Sequence, residues 1–208
     1  YAGYFDRSPL QMLKDIFFNG TFYHLWYLPA VLLGALIVMP LWRRFGWRFT
    51  LAAAAGLYVI GLGGDSYYGL ASRIPALRAF YDAVLSISDY TRNGVFLAPV
   101  FIMMGAGFAG QNKRRGTRPQ RIHAAGLAVS AVLLVAEALW LRSMGVQRHD
   151  SMYVMLLPCM YFLFALLASF DERGSKALRT GAMAVYILHP WAIVLVRGFA
   201  KLTGTVGL

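Results

Sequence analysis

Residues 122–141 read IHAAGLAVSAVLLVAEALWL, a run with a single acid, Glu137, and no lysine or arginine. As a helix, such a run reaches about 30 Å, the thickness of a bilayer's hydrocarbon core. Five further runs have the same character: Phe22–Leu41, Phe49–Gly64, Asn93–Gly110, Met152–Phe170 and Thr180–Val196. The chain is 59% hydrophobic and only 14% charged over 208 residues, where a soluble domain carries about a quarter charged residues. The expected fold is all-α: a polytopic transmembrane helix bundle with six spans, forming a single transmembrane domain over residues 1–208.

The net charge is +11, which alone would suggest nucleic acid. The basic residues argue otherwise, because they gather in short loops between apolar runs. One loop holds Arg43, Arg44 and Arg48; another Lys113, Arg114, Arg115, Arg118 and Arg121; a third Arg173, Lys176 and Arg179. The alternate connections carry Asp65, Asp82, Asp89 and Asp150. The positive-inside rule then places the basic loops in the cytoplasm and both ends of the chain outside. The partner this composition implies is the lipid bilayer, with no nucleic acid. Cys159, the single cysteine, excludes an internal disulfide and makes no metal site by itself. The chain begins at Tyr1 with no charged leader before an apolar run, so a fragment truncated at both ends is expected.

Two segments read as interfacial helices on the outer surface. Ser8-Pro9 starts one, with Leu10, Leu13, Ile16 and Phe17 at helical spacing and Gly20 as a stop. Pro75 starts the other, with Leu77, Phe80, Val84 and Ile87 on one face. Gly56, Gly61, Gly63 and Gly64 mark the second run as one packed closely between neighbours. Pro29, Pro40, Pro99, Pro158 and Pro190 lie in or at the ends of runs; they signify either ordinary bending or broken helices around a polar cavity.

Three polar clusters fall where runs meet water on one side: Asp65-Ser66-Tyr67-Tyr68-Gly69, Thr91-Arg92-Asn93-Gly94 and His149-Asp150-Ser151-Met152-Tyr153. Arg92 and Asn93 open the third run, where an arginine at a positive helix end suits a carboxylate or phosphate. Asp65, Tyr67 and Tyr68 belong either to a site or to a loop carboxylate beside an aromatic belt. Glu137, inside a span, is either half of an ion pair with Arg92 or Arg197 or a ligand for substrate or proton. Arg197 is an anion binder or a snorkelling interface residue. His149-Asp150-Ser151 is no hydrolase triad, since three consecutive residues cannot reach that geometry; Asp150 or Ser151 is expected to cap the fifth span, leaving His149 to a site built from other helices. The candidate catalytic residues are therefore Glu137 and His149, and the candidate substrate-binding residues Asp65, Tyr68, Arg92, Asn93, Asp150 and Arg197. No metal-ligand spacing is present.

Together with His24-Leu25-Trp26-Tyr27-Leu28-Pro29 and Tyr186-Ile187-Leu188-His189-Pro190, these clusters resemble the acyltransferase-3 family of bacterial integral membrane proteins. Within it they look most like the membrane domain of vancomycin-resistance-type serine racemases. The resemblance implies a ten-span domain of the cytoplasmic membrane, lacking here three spans in front and one behind. It implies transfer of an acyl group, from a donor such as an acyl thioester, to a hydroxyl-bearing acceptor of the cell envelope. The family's catalytic Arg and His lie on a first span outside this chain. The racemase-type branch implies instead uptake of a small amino acid, L-serine, for a linked racemase domain. That domain's pyridoxal phosphate is not expected here, and no cofactor is expected in this chain.

Overall fold

The computed structural model describes residues 26–111, 120–169, 180–181 and 183–185. All regular structure among them is helical. In chain order the elements are α1 (Tyr27–Gly64), α2 (Tyr68–Ala71), α3 (Pro75–Ile87), α4 (Ala98–Gln111), α5 (Gln120–Ser143) and α6 (Leu156–Leu167). These lie in one unit, Tyr1–Phe170. A second unit, Asp171–Leu208, contributes helical residues at 180–181 and 183–185. The expected Ser8–Gly20 helix, the loop of Arg173, Lys176 and Arg179, and nearly all of the sixth run lie outside the described residues.

The 38 residues of α1 would measure about 57 Å if straight. Its two ends nevertheless meet the same neighbours. Before its first residue, Trp26 lies beneath the Arg92 guanidinium; beyond its last, Asp65 binds the backbone of Ser151, whose hydroxyl Arg92 also contacts. The element therefore folds back on itself, and the reversal is at Gly46, the one residue with non-helical angles (φ 77°, ψ 176°). That combination is open almost solely to glycine. Separate first and second runs joined by a basic loop were expected. Instead the helix continues through Arg43 and Arg44, which are good helix formers, and the connection shrinks to a single residue.

The proline positions decide between bending and breaking. Pro29, Pro99 and Pro158 fall in the first turns of α1, α4 and α6, and Pro75 begins α3. First-turn amides have no intrahelical partner, so proline loses nothing there. Among the described residues only Pro40 lies inside a helix; Pro190 is outside them. These prolines start helices more than they break them.

Polarity is distributed opposite to a soluble protein. Leu32 and Val132 are 66% and 67% exposed, and Leu36, Val129, Val135 and Leu139 face outward as well. Among the described residues, Asp65, Ser66, Ser88, Thr91 and Asn93 are buried. An apolar exterior of this extent belongs in lipid. By length and composition α1 and α5 suffice to cross a membrane, and α4 and α6 are shorter apolar helices. The fold is that of a helical membrane protein.

The glycines of the second arm of α1 allow close packing, as their number suggested. A Cβ at Gly61 would lie 2.7 Å from the Met152 side chain, and one at Gly63 would overlap the Tyr81 hydroxyl. Gly56 is the exception, facing open space. Through Tyr81, whose hydroxyl donates to the Ile60 carbonyl at 2.8 Å, α3 is tied to that arm. Leu77, Phe80 and Ile87 of α3 remain exposed.

Candidate functional site

Asp65 terminates α1 and is fully buried. Its Oδ1 accepts hydrogen bonds from the backbone N–H of Ser151 (2.8 Å) and Met152 (3.0 Å), and the Ser66 hydroxyl lies at 3.0 Å. The Asp65 carbonyl also accepts from Arg148 N–H. At Gly69 the chain passes so near Val146 that a Cβ would sit 2.7 Å from its Cα, and the Gly69 N–H donates to the Val146 carbonyl at 2.6 Å. The turn after α1 is thus sewn along the loop between α5 and α6.

A second carboxylate holds the next part of that loop. Glu137 of α5 accepts from Val154 N–H (2.7 Å) through Oε1 and from Met155 N–H (2.8 Å) through Oε2. The Tyr67 hydroxyl also donates to Oε1. Burial first, and then this hydrogen bond, push the Tyr67 phenol above its usual range, so Tyr67 stays protonated and donates. Glu137 consequently caps the start of α6 from a neighbouring helix. Neither Asp150 nor Ser151 performs the expected capping: the N-cap position is Met155, which has no side-chain cap. Tyr153, Val154 and Met155 precede the helix, and none carries a short side-chain acceptor of the usual capping kind. The amides therefore need an outside acceptor, and a carboxylate at a positive helix end is well placed. Among the described residues no ion pair joins Glu137 to Arg92; Arg197 is outside them.

Arg92 lies on the loop before α4. Its guanidinium stacks over Tyr90 (4.6 Å) and Trp26 (5.3 Å), and Nη1 donates to the Ser151 hydroxyl at 3.2 Å. It does not open the helix, which starts later, at Ala98. Asn93 explains the delay. Its Oδ1 accepts from Val95 and Phe96 N–H, and its Nδ2 donates to Ser88 Oγ and the Tyr90 carbonyl. The Asn93 amide is thus spent on bracing its own turn. Thr91 ties the same turn to α1 by donating to the Gly61 carbonyl at 2.8 Å.

His149 packs against Tyr90, ring centroids 4.4 Å apart, and bonds the Asp89 backbone. Its Nε2 is buried without a hydrogen-bond partner, as is Asp65 Oδ2. Burial is the largest influence on the imidazole and lowers its pKa; Arg148 and Arg92 add to this, while Asp65 and the Asp89 backbone oppose it. Neutral imidazole therefore prevails at pH 7.

The three polar clusters meet at one end of the helices. Asp65, Arg92 and His149 share a single knot through Ser66, Tyr90 and Ser151. Glu137 joins it through Tyr67 and the loop before α6. Tyr68 sits at the edge, donating to Asp82 Oδ1 at 3.2 Å beneath the Arg148 guanidinium. Asp150 is exposed, and Arg197 is outside the described residues. Beside the knot is an apolar cavity of about 470 Å³, bounded by Trp26, Leu97, Phe101, Met160 and Phe164. None of the seven described candidate residues lines it, but Ser151, which Arg92 contacts, does. Of the other residues that hold the knot together, Tyr67 and Ser151 stand in the polar clusters and Trp26 in a family motif without being counted among the candidate site residues, and Tyr90 was not singled out from sequence; a belt aromatic carries no separate signal.

A family model described as an acyltransferase domain matches residues 2–206. Among curated proteins, an amino-acid racemase of Enterococcus faecalis is 41% identical over 182 residues, covering 86% of this chain and 25% of the relative. Another amino-acid racemase of that species is 38% identical over 193 residues, 92% of this chain and 27% of the relative. A serine/alanine racemase of Enterococcus gallinarum is 34% identical over 190 residues, 91% and 27% respectively. The chain spans about a quarter of the length of these relatives. No solved structure matches it.

Proposed function

Since this chain belongs to the acyltransferase-3 family, we propose that the whole protein moves an acyl group onto a hydroxyl-bearing acceptor at the outer face of a bacterial cytoplasmic membrane. The observation that carries this reading is the apolar cavity beside Arg92 and Ser151. Its volume of about 470 Å³ falls within the usual range of small-molecule sites, and its oily lining includes Ser151 and Trp26, both of which the Arg92 guanidinium contacts. An acyl chain suits the lining. A phosphate or carboxylate on the donor suits the guanidinium, which offers two-point contact.

In this reading the donor is an acyl thioester. The acceptor oxygen bonds to the acyl carbon and the thiol leaves. The hydroxyl proton passes to His149 and then to the departing thiolate. His149 fits proton transfer better than Glu137, because its Nε2 is unengaged whereas both Glu137 oxygens accept hydrogen bonds. The catalytic groups of the family's first span would complete the site. Asp65, Tyr68 and Asp150 would face the acceptor, and Arg197 would add a second cation. The proposed setting is a six-span segment of a ten-span bundle. Arg43, Arg44 and Arg48 surround the Gly46 reversal, at the end of the hairpin away from the knot; the positive-inside rule puts that end in the cytoplasm and the knot outside.

A second reading is uptake of a small amino acid such as L-serine. It is favoured by the racemase relatives and by the nearness of a carboxylate, Asp65, to an arginine, Arg92, which suits an ammonium and a carboxylate on one ligand. Proteoliposomes of the full-length protein distinguish the two. Given an acyl thioester and a hydroxyl acceptor, they should form an ester detectable by mass spectrometry. Accumulation of labelled L-serine with no ester would replace the first reading by the second.

A further inference from the structure

Among the described residues the knot contains two buried side-chain atoms without a hydrogen-bond partner, and both are acceptors. Asp65 Oδ2 belongs to a fully buried side chain whose other oxygen is occupied by Ser151 and Met152 amides. His149 Nε2 is the free nitrogen of a ring bonded to the Asp89 backbone. A carbonyl can only accept, so the ring's other nitrogen carries the proton and Nε2 presents a lone pair. The two residues are joined closely: Ser66 Oγ lies 3.0 Å from Asp65 Oδ1 and 3.2 Å from the His149 carbonyl.

Buried acceptors without donors are costly, and a buried carboxylate calls for positive charge as well as hydrogen bonds. A hydroxyl satisfies a neutral imidazole nitrogen. A carboxylate oxygen is better satisfied by an ammonium, which brings both charge and N–H donors. We infer that Asp65 and His149 form the recognition subsite for a small amino alcohol, the ammonium going to Asp65 Oδ2 and the hydroxyl to His149 Nε2. Calling this ligand the acyl acceptor rests on the acyl-transfer reading above; the subsite's preference for an ammonium and a hydroxyl together does not. In that reading the hydroxyl that meets His149 is the one acylated.

The test compares ethanolamine, ethylamine and ethylene glycol as ligands of the full-length wild-type protein in nanodiscs, by calorimetry, with acylation followed separately. Ethanolamine should bind about tenfold or more tightly than either relative that lacks one group. Asp65→Asn should erase its advantage over ethylene glycol, and His149→Gln its advantage over ethylamine. Equal binding of ethanolamine and ethylene glycol by the wild type, or binding of none of the three, would overturn the subsite even if neither variant folds. If ethanolamine binds selectively but is never acylated, the subsite stands and the acyl-transfer reading falls. If an amine-free alcohol is acylated as fast as ethanolamine, the reverse holds.

Discussion

Arg92 serves the fold and, in the proposed function, would also serve a ligand. Two aromatic faces and the Ser151 hydroxyl fix its guanidinium. Arg92→Lys keeps the charge but loses the planar fork. Folding and expression should stay near normal, while activity of the intact protein falls about tenfold or more, as loss of one charge-assisted contact of about 1.5–3 kcal/mol implies. Wild-type rates for both acceptor acylation and serine uptake would remove Arg92 from the site. His149 offers a test by pH. Burial holds its folded pKa below the usual value of about 6.5. Its neutral form therefore contributes stability that is complete above that value and is lost as pH falls through it, because the unfolded chain binds the proton more readily. The groups facing it are Arg148, Arg92, Asp65 and the Asp89 backbone. The melting temperature should drop as pH falls below about 6.5, and His149→Gln should flatten the drop. At this scale the sequence was partly readable. Polar residues at the ends of apolar runs marked the region, but only coordinates separate Asn93, consumed by its own turn, from Asp65, which keeps an oxygen unengaged.

Among the elements, α6 depends on a residue outside itself. Glu137→Ala removes the acceptor of two amides and a tyrosine hydroxyl and should cost roughly 1.5–3 kcal/mol, with hydrogen exchange rising first at Val154 and Met155. Tyr67→Phe should cost only about 1 kcal/mol. Helix α1 depends on one backbone conformation. Gly46→Ala meets no steric neighbour, yet forces a β-carbon into an angle pair that costs of order 1–3 kcal/mol. A lower melting temperature in detergent would show it, and no change would mean that the reversal lies elsewhere. The apolar runs announced most helices, since their length and lack of charge are local properties. The short connection at Gly46 and the remote cap of α6 were hidden, because each depends on what the chain meets after folding. Helix α3 was read from its proline start and one-sided apolar spacing, and its exposed Leu77, Phe80 and Ile87 fit that reading.

For the molecule as a whole, the first test is orientation. With Cys159 replaced, a cysteine at Ser72 should react with an impermeant reagent added outside cells, and one at Thr117 should not. The opposite pattern would invert the proposed topology. The connections between helices carry a mechanical implication. α1 packs mainly on α4, and α5 mainly on α6, while α4 and α6 touch only sparingly. The bonds from Asp65 to the loop before α6, and from Tyr67 to Glu137, fasten these two pairs at the polar end. The cavity has walls from both pairs: Phe101 on α4 and Phe164 on α6. Such a layout works like a clothes-peg whose spring is made of hydrogen bonds. A ligand that loosens the carboxylate clasps would let the two pairs part, and the width of the oily slot would then follow the occupancy of a few polar atoms beside it.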